Sequence, residues 1–444
     1  MSENEPAGPP RNWAGNVRFG ARQIHRPESV DEVRRVVVRG RRVRALGTGH
    51  CFSPIADAAS AGSRGGDTDG GDAGDLIALD ALPPTVDIDA AQRSVTVAAS
   101  VRYGDLATEL DAAGFALHNL ASLPHISVAG SIATGTHGSG DRNGGLATAV
   151  TGIEMVTADG GIVTMTRDSH PDEFTGSIVA LGALGIVTHV RLAIEPTYEV
   201  AQWVYEGMPW DRLLADLDDV FASAYSVSVL TRWDAPAVNY VWRKHRVRDT
   251  VDRPPTEWLG AMLADRPRHP VIGLPPVPAT PQLGEPGRWH ERLPHFRLEF
   301  TPSVGAELQS EFFVPRQHAV AAVQAMRDIG DRLASVLMVG ELRTVAADDL
   351  WLSPTYGRDT LALHFTWIPD TPAVLAAVAQ VDTALEPLGH RPHWGKVFTM
   401  SPEGVAARFE RLGDFGRLRH RLDPDGVFGN EFVDRFAPSV AAHR

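Results

Sequence analysis

VRALGTGHCFS, residues 43–53, opens on four residues of strand character and breaks into Gly47-Thr48-Gly49-His50. A buried strand feeding a glycine turn brings backbone close to a ligand, because N–H groups uncovered by side chains can face phosphate oxygens. The loop is not a dinucleotide GxGxxG, since the third glycine is missing. On its own it reads as a plain turn and His50 as an ordinary loop histidine, although a neutral imidazole is a competent nucleophile.

Working outward, Ser29 and Glu32 form a capping box ahead of Val30, Val33, Val36 and Val37, and Gly40 closes that helix. Thr85–Asp89 and Ser94–Ala98 alternate as a hairpin, and Tyr103–Ala113 is a helix stopped by Gly114. Ser127–Gly140 (SVAGSIATGTHGSG) has almost no bulky side chain over fourteen positions. A packed helix or strand would leave its neighbours without contacts there, so the stretch is either a mobile surface loop or a bed for something else. Asp57–Asp75 is expected to be a flexible surface insertion without chemistry. The apolar run Ile178–Val187 reads as buried strand or helix and is too short to span a bilayer.

The chain of 444 residues exceeds one ordinary core and implies two or three packed units. Its charge of -13 repels phosphate backbones and anionic headgroups, so neither nucleic acid nor membrane is an expected partner. The single cysteine, Cys51, excludes an internal disulfide and a multi-cysteine metal site. The first ten residues carry no secretory pattern and read as a disordered lead-in, which makes the cytoplasm the expected compartment.

After Pro196 aromatic residues become frequent, which places a domain boundary there, and the Pro-rich stretch Arg253–Pro294 reads as an irregular crossing loop. A helix over Gln317–Leu333 precedes three runs of strand character, near Glu341–Val345, Leu361–Trp367 and His393–Thr399. Strand alternation puts Leu361, Leu363, Phe365 and Trp367 on one face and His364 and Thr366 on the other. It likewise pairs Glu341 with Arg343, and Trp394 with Lys396. By themselves Glu341 and Arg343 read as a surface ion pair and Lys396 as a solvated lysine; together the runs look like a polar-floored sheet suited to a polyhydroxylated ligand.

GTGHCFS (47–53), taken with the small residues from Ser127, resembles the vanillyl-alcohol-oxidase-type (PCMH-type) FAD oxidoreductases. Five segments are similar, in order, to the bacterial alditol oxidase branch: NLASLPHISVAGSIATGTHGSG (119–140), GELRTVAAD (340–348), LHFTW (363–367), HWGKVF (393–398) and DPDGVFGNEF (423–432). The resemblance implies an α+β, two-domain fold. Residues 1–11 would be a disordered N-terminus, 12–196 the FAD-binding domain and 197–390 a substrate (cap) domain on an antiparallel sheet flanked by helices. Residues 391–444 would complete the active site and pack back on the FAD domain. Cys51 departs from the family pattern, where serine is usual.

The resemblance also implies FAD carried covalently on His50, as an 8α-N-histidyl bond. Leu46, Gly47, Thr48, Gly49, Cys51, Phe52, Ser122, Ser127, Gly130, Ser131, Ala133, Thr134, His137, Ile186 and His393 would contact the cofactor. Ser122, Glu341, Arg343, Thr366 and Lys396 would bind the polyol, and Ala121 would sit where the family admits or hinders oxygen.

The expected reaction is oxidation of a terminal CH2OH of xylitol or sorbitol by hydride transfer to flavin N5, with oxygen reduced to hydrogen peroxide, in a monomeric enzyme. Glu341, Arg343, His364 and Lys396 are the expected catalytic residues. Arg343 and Lys396 would polarise the hydroxyl and His364 would take its proton, because a primary alcohol barely ionises near neutrality. No metal is expected, since His125 and His137 lie in a stretch without carboxylate or thiolate at zinc spacing. The competing readings are an aldonolactone oxidase or dehydrogenase of the same fold, a non-catalytic polyol-binding protein and an NAD-dependent polyol dehydrogenase.

Overall fold

The structure, a computed structural model, describes residues 10–58, 73–247, 253–300 and 307–441. Most of the Asp57–Asp75 insertion lies outside these residues, as does nearly all of the N-terminal lead-in.

Two larger sheets build the first half, beside a two-stranded pairing of Phe115–Ala116 with Glu195–Pro196. A parallel three-stranded sheet runs Gln23–His25, Asp75–Ala78, Val43–Leu46, and an antiparallel five-stranded sheet runs Val86–Asp89, Ser94–Ala98, Ile186–Ala193, Val150–Val156, Ile162–Thr166. Helix Val30–Arg39 starts as its sequence predicts, with the Ser29 hydroxyl accepting from Glu32 N. The reciprocal bond differs: the Glu32 carboxylate accepts from Glu28 N, one residue earlier than in a capping box. Gly40 ends the helix in an extended conformation rather than a left-handed one. It is needed for space, since a Cβ there would stand 2.3 Å from Val43 Cγ2.

The second half is a ten-stranded antiparallel sheet. At its centre Ser226–Thr231, Leu337–Val345, Thr360–Trp367 and Leu308–Pro315 lie side by side. Leu361, Leu363, Phe365 and Trp367 project into one core with the buried faces of helices Ala319–Leu333 and Thr371–Leu385. Full burial of each such side chain stabilises by roughly 1.5–3 kcal/mol, which fixes which face of the sheet is left for a ligand. The C-terminal helices return to the first half, where Phe415, Phe432 and Phe436 join the core of the five-stranded sheet.

Three expectations are corrected. Ser127–Gly140 does contain regular structure, the short helix Val128–Ala133; its small residues serve close approach, since a Cβ on Gly130 would lie 2.7 Å from Ser127 Oγ. Within the run Ile178–Val187, Ile178 ends helix Phe174–Ile178, Ile186 and Val187 begin strand Ile186–Ala193, and the stretch 179–185 between them is irregular. Its backbone is bent at Leu181, φ 56°, and the carbonyls of Leu181 and Gly182 both accept from the Arg44 guanidinium at 2.7 Å. Finally, only Arg391–Pro392 is strand; His393–Lys396 is a turn closed by Lys396 N donating to His393 O. Gly395 and Trp394 offer their carbonyls to Phe52 N and the Ser53 hydroxyl, so the middle of this run is pinned to the His50 loop, while His393 N and Val397 N donate to Glu311 O and Gln309 O of the neighbouring strand at 3.0 and 2.9 Å. Trp394 and Lys396 accordingly part company, Trp394 entering the first-half core and Lys396 the site.

Candidate active site

One cavity of about 690 Å³ runs from the His50 loop, past Ser127–Thr134, to the open face of the ten-stranded sheet. That volume suits a cofactor or small-molecule site. It is lined by Leu46, Gly47, Thr48, Gly49, His50, Cys51, Phe52, Ser122, Ser127, Gly130, Ser131, Ala133, Thr134, His137, Glu341, Arg343, His364, Thr366, His393 and Lys396. Ile186 is the exception. Its side chain is buried with Val33 and Phe428, and strand alternation turns its neighbour Val187 to the cavity instead.

At the loop end the wall is backbone. Gly49 has φ +70°, and a Cβ at Gly47 would stand 2.8 Å from Ser127 Oγ. The N-terminal arm holds this loop, with Trp13 N donating to Gly49 O at 2.8 Å and the Asn12 amide to Cys51 O at 2.9 Å. Trp13 also stacks on the His50 ring, centroids 5.3 Å apart. Burial, helped by repulsion from His125, brings the His50 imidazole down to about 4, so the ring is neutral. Its Nδ1 is buried with no hydrogen-bond partner. A bed lined by Gly47, Gly49 and Gly130, ending at a neutral imidazole whose Nδ1 has no hydrogen-bond partner, fits a flavin dinucleotide.

At the sheet end the wall is charge. Register aligns Glu311, His364 and Glu341 in one row across three strands, with Arg343 two residues from Glu341 on the same face. Glu311, 1% exposed, is the hub: Lys396 Nζ donates to its Oε2 at 2.7 Å, while its Oε1 meets His137 Nε2 at 3.1 Å and Arg343 at 3.3 Å. Arg343 also pairs with Glu341 at 3.4 Å and reaches the Ser122 hydroxyl at 3.3 Å. Lys396 Nζ donates to His364 Nδ1 at 2.7 Å, and His364 Nε2 lies 3.2 Å from the Thr366 hydroxyl.

Burial opposes charge on Glu311, Glu341, Lys396 and His364, and the outcome differs by partner. For Glu311 and Glu341 it is outweighed by Lys396 and His137 around the first and by Arg343 and His295 around the second, so both carboxyls are held well below their usual range. For Lys396 burial prevails over Glu311 and lowers the ammonium. For His364 burial and the Lys396 charge bring the ring down to about 4. Two carboxylates and two cations therefore stand together around the His364 ring, which is neutral.

Glu311 escaped the reading of the sequence, although a carboxylate inside the apolar strand LQSEFFVP was its signal. His295, just after the Pro-rich stretch, carried no signal; its Nε2 contacts Glu341 Oε1 at 2.8 Å.

An FAD binding domain model matches residues 21–166, and a D-arabinono-1,4-lactone oxidase model matches residues 306–436. Alditol oxidase of Streptomyces sp. is 48% identical, over 95% of this chain and 97% of that protein. L-gulono-1,4-lactone dehydrogenase of Mycobacterium tuberculosis is 27% identical over 96% and 98%. The fold matches that of cholesterol oxidase from B. sterolicum with a TM-score of 0.76, at 14% identity and 96% of each chain. The chain thus has the two-domain α+β fold of these flavoproteins and belongs to the alditol oxidase family of FAD-dependent oxidoreductases.

Proposed function

We propose that this protein oxidises the terminal CH2OH of a sugar alcohol such as xylitol or sorbitol to the aldose, with FAD bonded to His50. The observation that carries the reading is the continuity of one cavity between the backbone bed at His50 and the charged floor at Glu341, Arg343 and Lys396. When bound, FAD accepts the hydride from the carbinol carbon and returns the electrons to oxygen, which leaves as hydrogen peroxide.

The protein's own work is to bind, orient and deprotonate. A hydroxyl entering between Lys396 and His364 replaces their 2.7 Å contact, accepting from the ammonium and donating to the freed Nδ1. Lys396, with Arg343 beside it, favours the alkoxide-like oxygen, and His364 receives the proton as the C–H bond breaks. Glu341, Thr366 and Ser122 take the remaining hydroxyls, which selects against ligands that lack them. Glu311 keeps both cations in place. Residues 12–196 hold the cofactor, 197–390 cap it and 391–444 close the site, in a cytoplasmic monomer.

Lactone oxidation is the second reading, favoured by the family model over residues 306–436. Two measurements decide. Yellow colour that stays with acid-precipitated protein supports the bond at His50, and peroxide formation with xylitol and sorbitol but not with a gulonolactone supports the substrate class. Protein that makes peroxide only with the lactone overturns the polyol reading.

A further inference from the structure

Beside Glu341 lies a buried pair of ionisable groups that the reaction above does not use. Lys244, 1% exposed, sits in strand Tyr240–Val247, whose register with Ser226–Thr231 puts it on the same face as Glu341 and Arg343. Its ammonium has three acceptors: Leu293 O at 2.5 Å, Pro294 O at 3.2 Å and His295 Nδ1 at 3.2 Å. His295 stands edge-on to Trp242, its backbone N–H donates to Ser122 O at 3.0 Å, and its Nε2 meets Glu341 Oε1 at 2.8 Å.

We propose that His295 is a positioning residue for Glu341, and that Lys244 fixes the tautomer this requires. Burial, only partly opposed by Glu341, lowers the Lys244 ammonium to about 7; in that protonated form Lys244 can only donate, so Nδ1 of His295 is the acceptor and the ring proton resides on Nε2. That proton is directed at Glu341 Oε1, which Arg343 also approaches at 3.4 Å. With one oxygen engaged on both sides, the carboxylate is oriented and its other oxygen is left for a ligand hydroxyl. The opposite tautomer would set a lone pair against an ionised carboxylate. Burial keeps His295 itself neutral, at about 4, with the Lys244 charge reinforcing the effect.

The proposal rests on the reading of Glu341 as the hydroxyl-binding carboxylate. Its test uses flavin-loaded enzyme, with flavin content and Tm recorded for each variant. Loss of a hydrogen bond to a charged group predicts that His295→Phe raises KM for xylitol roughly tenfold while kcat stays within about threefold. His295→Gln, whose amide donates without a tautomer, should keep KM near that of the unmodified enzyme. Lys244→Met should raise KM when histidine occupies position 295 and should add nothing when glutamine does. An unchanged KM in His295→Phe, or an equal effect of Lys244→Met in both backgrounds, overturns the proposal alone. An unmodified holoenzyme inert to every polyol overturns the reading of the site and this proposal with it.

Discussion

At the His50 loop the cavity wall is made largely of backbone, with Gly47, Gly49 and Gly130 lining it and its nearby charges, Arg44 on backbone carbonyls and Arg26 on Asp80, already engaged. On the ten-stranded sheet the wall is made of charged side chains locked to one another, Glu311 and Glu341 against Arg343 and Lys396. The first wall depends on what is missing, since a Cβ added at Gly47 or Gly130 would crowd Ser127 Oγ and a side chain at Gly49 would have to accept a φ of +70°. The second depends on pairing, since removing one partner strands another in a place that water hardly reaches. The two should therefore fail differently, the loop by losing cofactor and the floor by losing turnover.

The largest effect is expected at Glu311. Glu311→Gln keeps the shape but removes the charge that opposes the lowering of the Lys396 ammonium, so Lys396 loses its proton more easily and polarises a hydroxyl less. Turnover should fall by ~100-fold or more, as when a preorganised transition-state donor is removed. Thermal unfolding should show a loss of about 3–5 kcal/mol, the usual cost of breaking a buried pair. Flavin retained on acid precipitation should not change, and its loss would collapse the distinction between the two walls.

The counterpart at the loop is Gly130→Ala. Its Cβ would lie 2.7 Å from Ser127 Oγ, and overpacking of that kind costs about 1–3 kcal/mol. The flavin-to-protein absorbance ratio should drop, while the loaded fraction keeps its KM for xylitol. Ser127→Ala in the same chain removes the oxygen that the new methyl meets, and should restore the ratio.

Acid acts on both walls, since His50 at the loop is lowered to about 4 as the floor histidines are. His295 and His364 stay neutral in the folded protein down to about 4, whereas an unfolded histidine protonates near 6.5. The unfolded state then binds more protons, so their contribution is full above about 6.5 and is lost as the pH falls toward 4, at most ~3 kcal/mol for each ring. The carboxyls of Glu311 and Glu341, held low, add a further loss only below their ordinary range. Tm measured from pH 7 to 4 should fall across the histidine window first. Replacing His364 by Asn should flatten that part of the curve, and an unaltered slope would mean that the ring is already charged.

The same contrast explains what could be read from the chain. Local signals carried the loop wall: Gly47 and Gly49, the small residues from Ser127, and the cap at Ser29 each act within a few residues. Period-two alternation likewise placed Glu341, Arg343, His364 and Thr366 on the cavity side of their strands, because the core strip Leu361, Leu363, Phe365, Trp367 fixes the face. Long-range pairing was not legible. Glu311 is defined by Lys396, 85 residues away, and His295 by Glu341, 46 residues away. The turn at His393–Lys396 mimicked a strand because alternation cannot show that Gly395 and Trp394 give their carbonyls to the His50 loop.

The smallest effect is expected where the two walls join. Cys51 follows His50, its carbonyl accepts from Asn12, and the next residue, Phe52, donates to Gly395 O at 2.7 Å, one residue before Lys396. These links are backbone bonds that do not involve the thiol. Burial pushes the Cys51 thiol up to about 12, with Arg44 only partly opposing, so no thiolate forms at neutral pH to act as nucleophile or ligand. Cys51→Ser should therefore leave covalent flavin unchanged and kcat/KM within about twofold, since a near-isosteric change that breaks no network usually stays within ±0.5 kcal/mol. Gly395→Ala tests the same joint from the other side, because its Cβ would press on Cys51 Sγ at 3.2 Å and on the His393 ring at 3.4 Å. It should move both readouts together. If Cys51→Ser lowered covalent flavin while Gly395→Ala did not, the sulfur itself, and not the backbone path beside it, would connect the two walls.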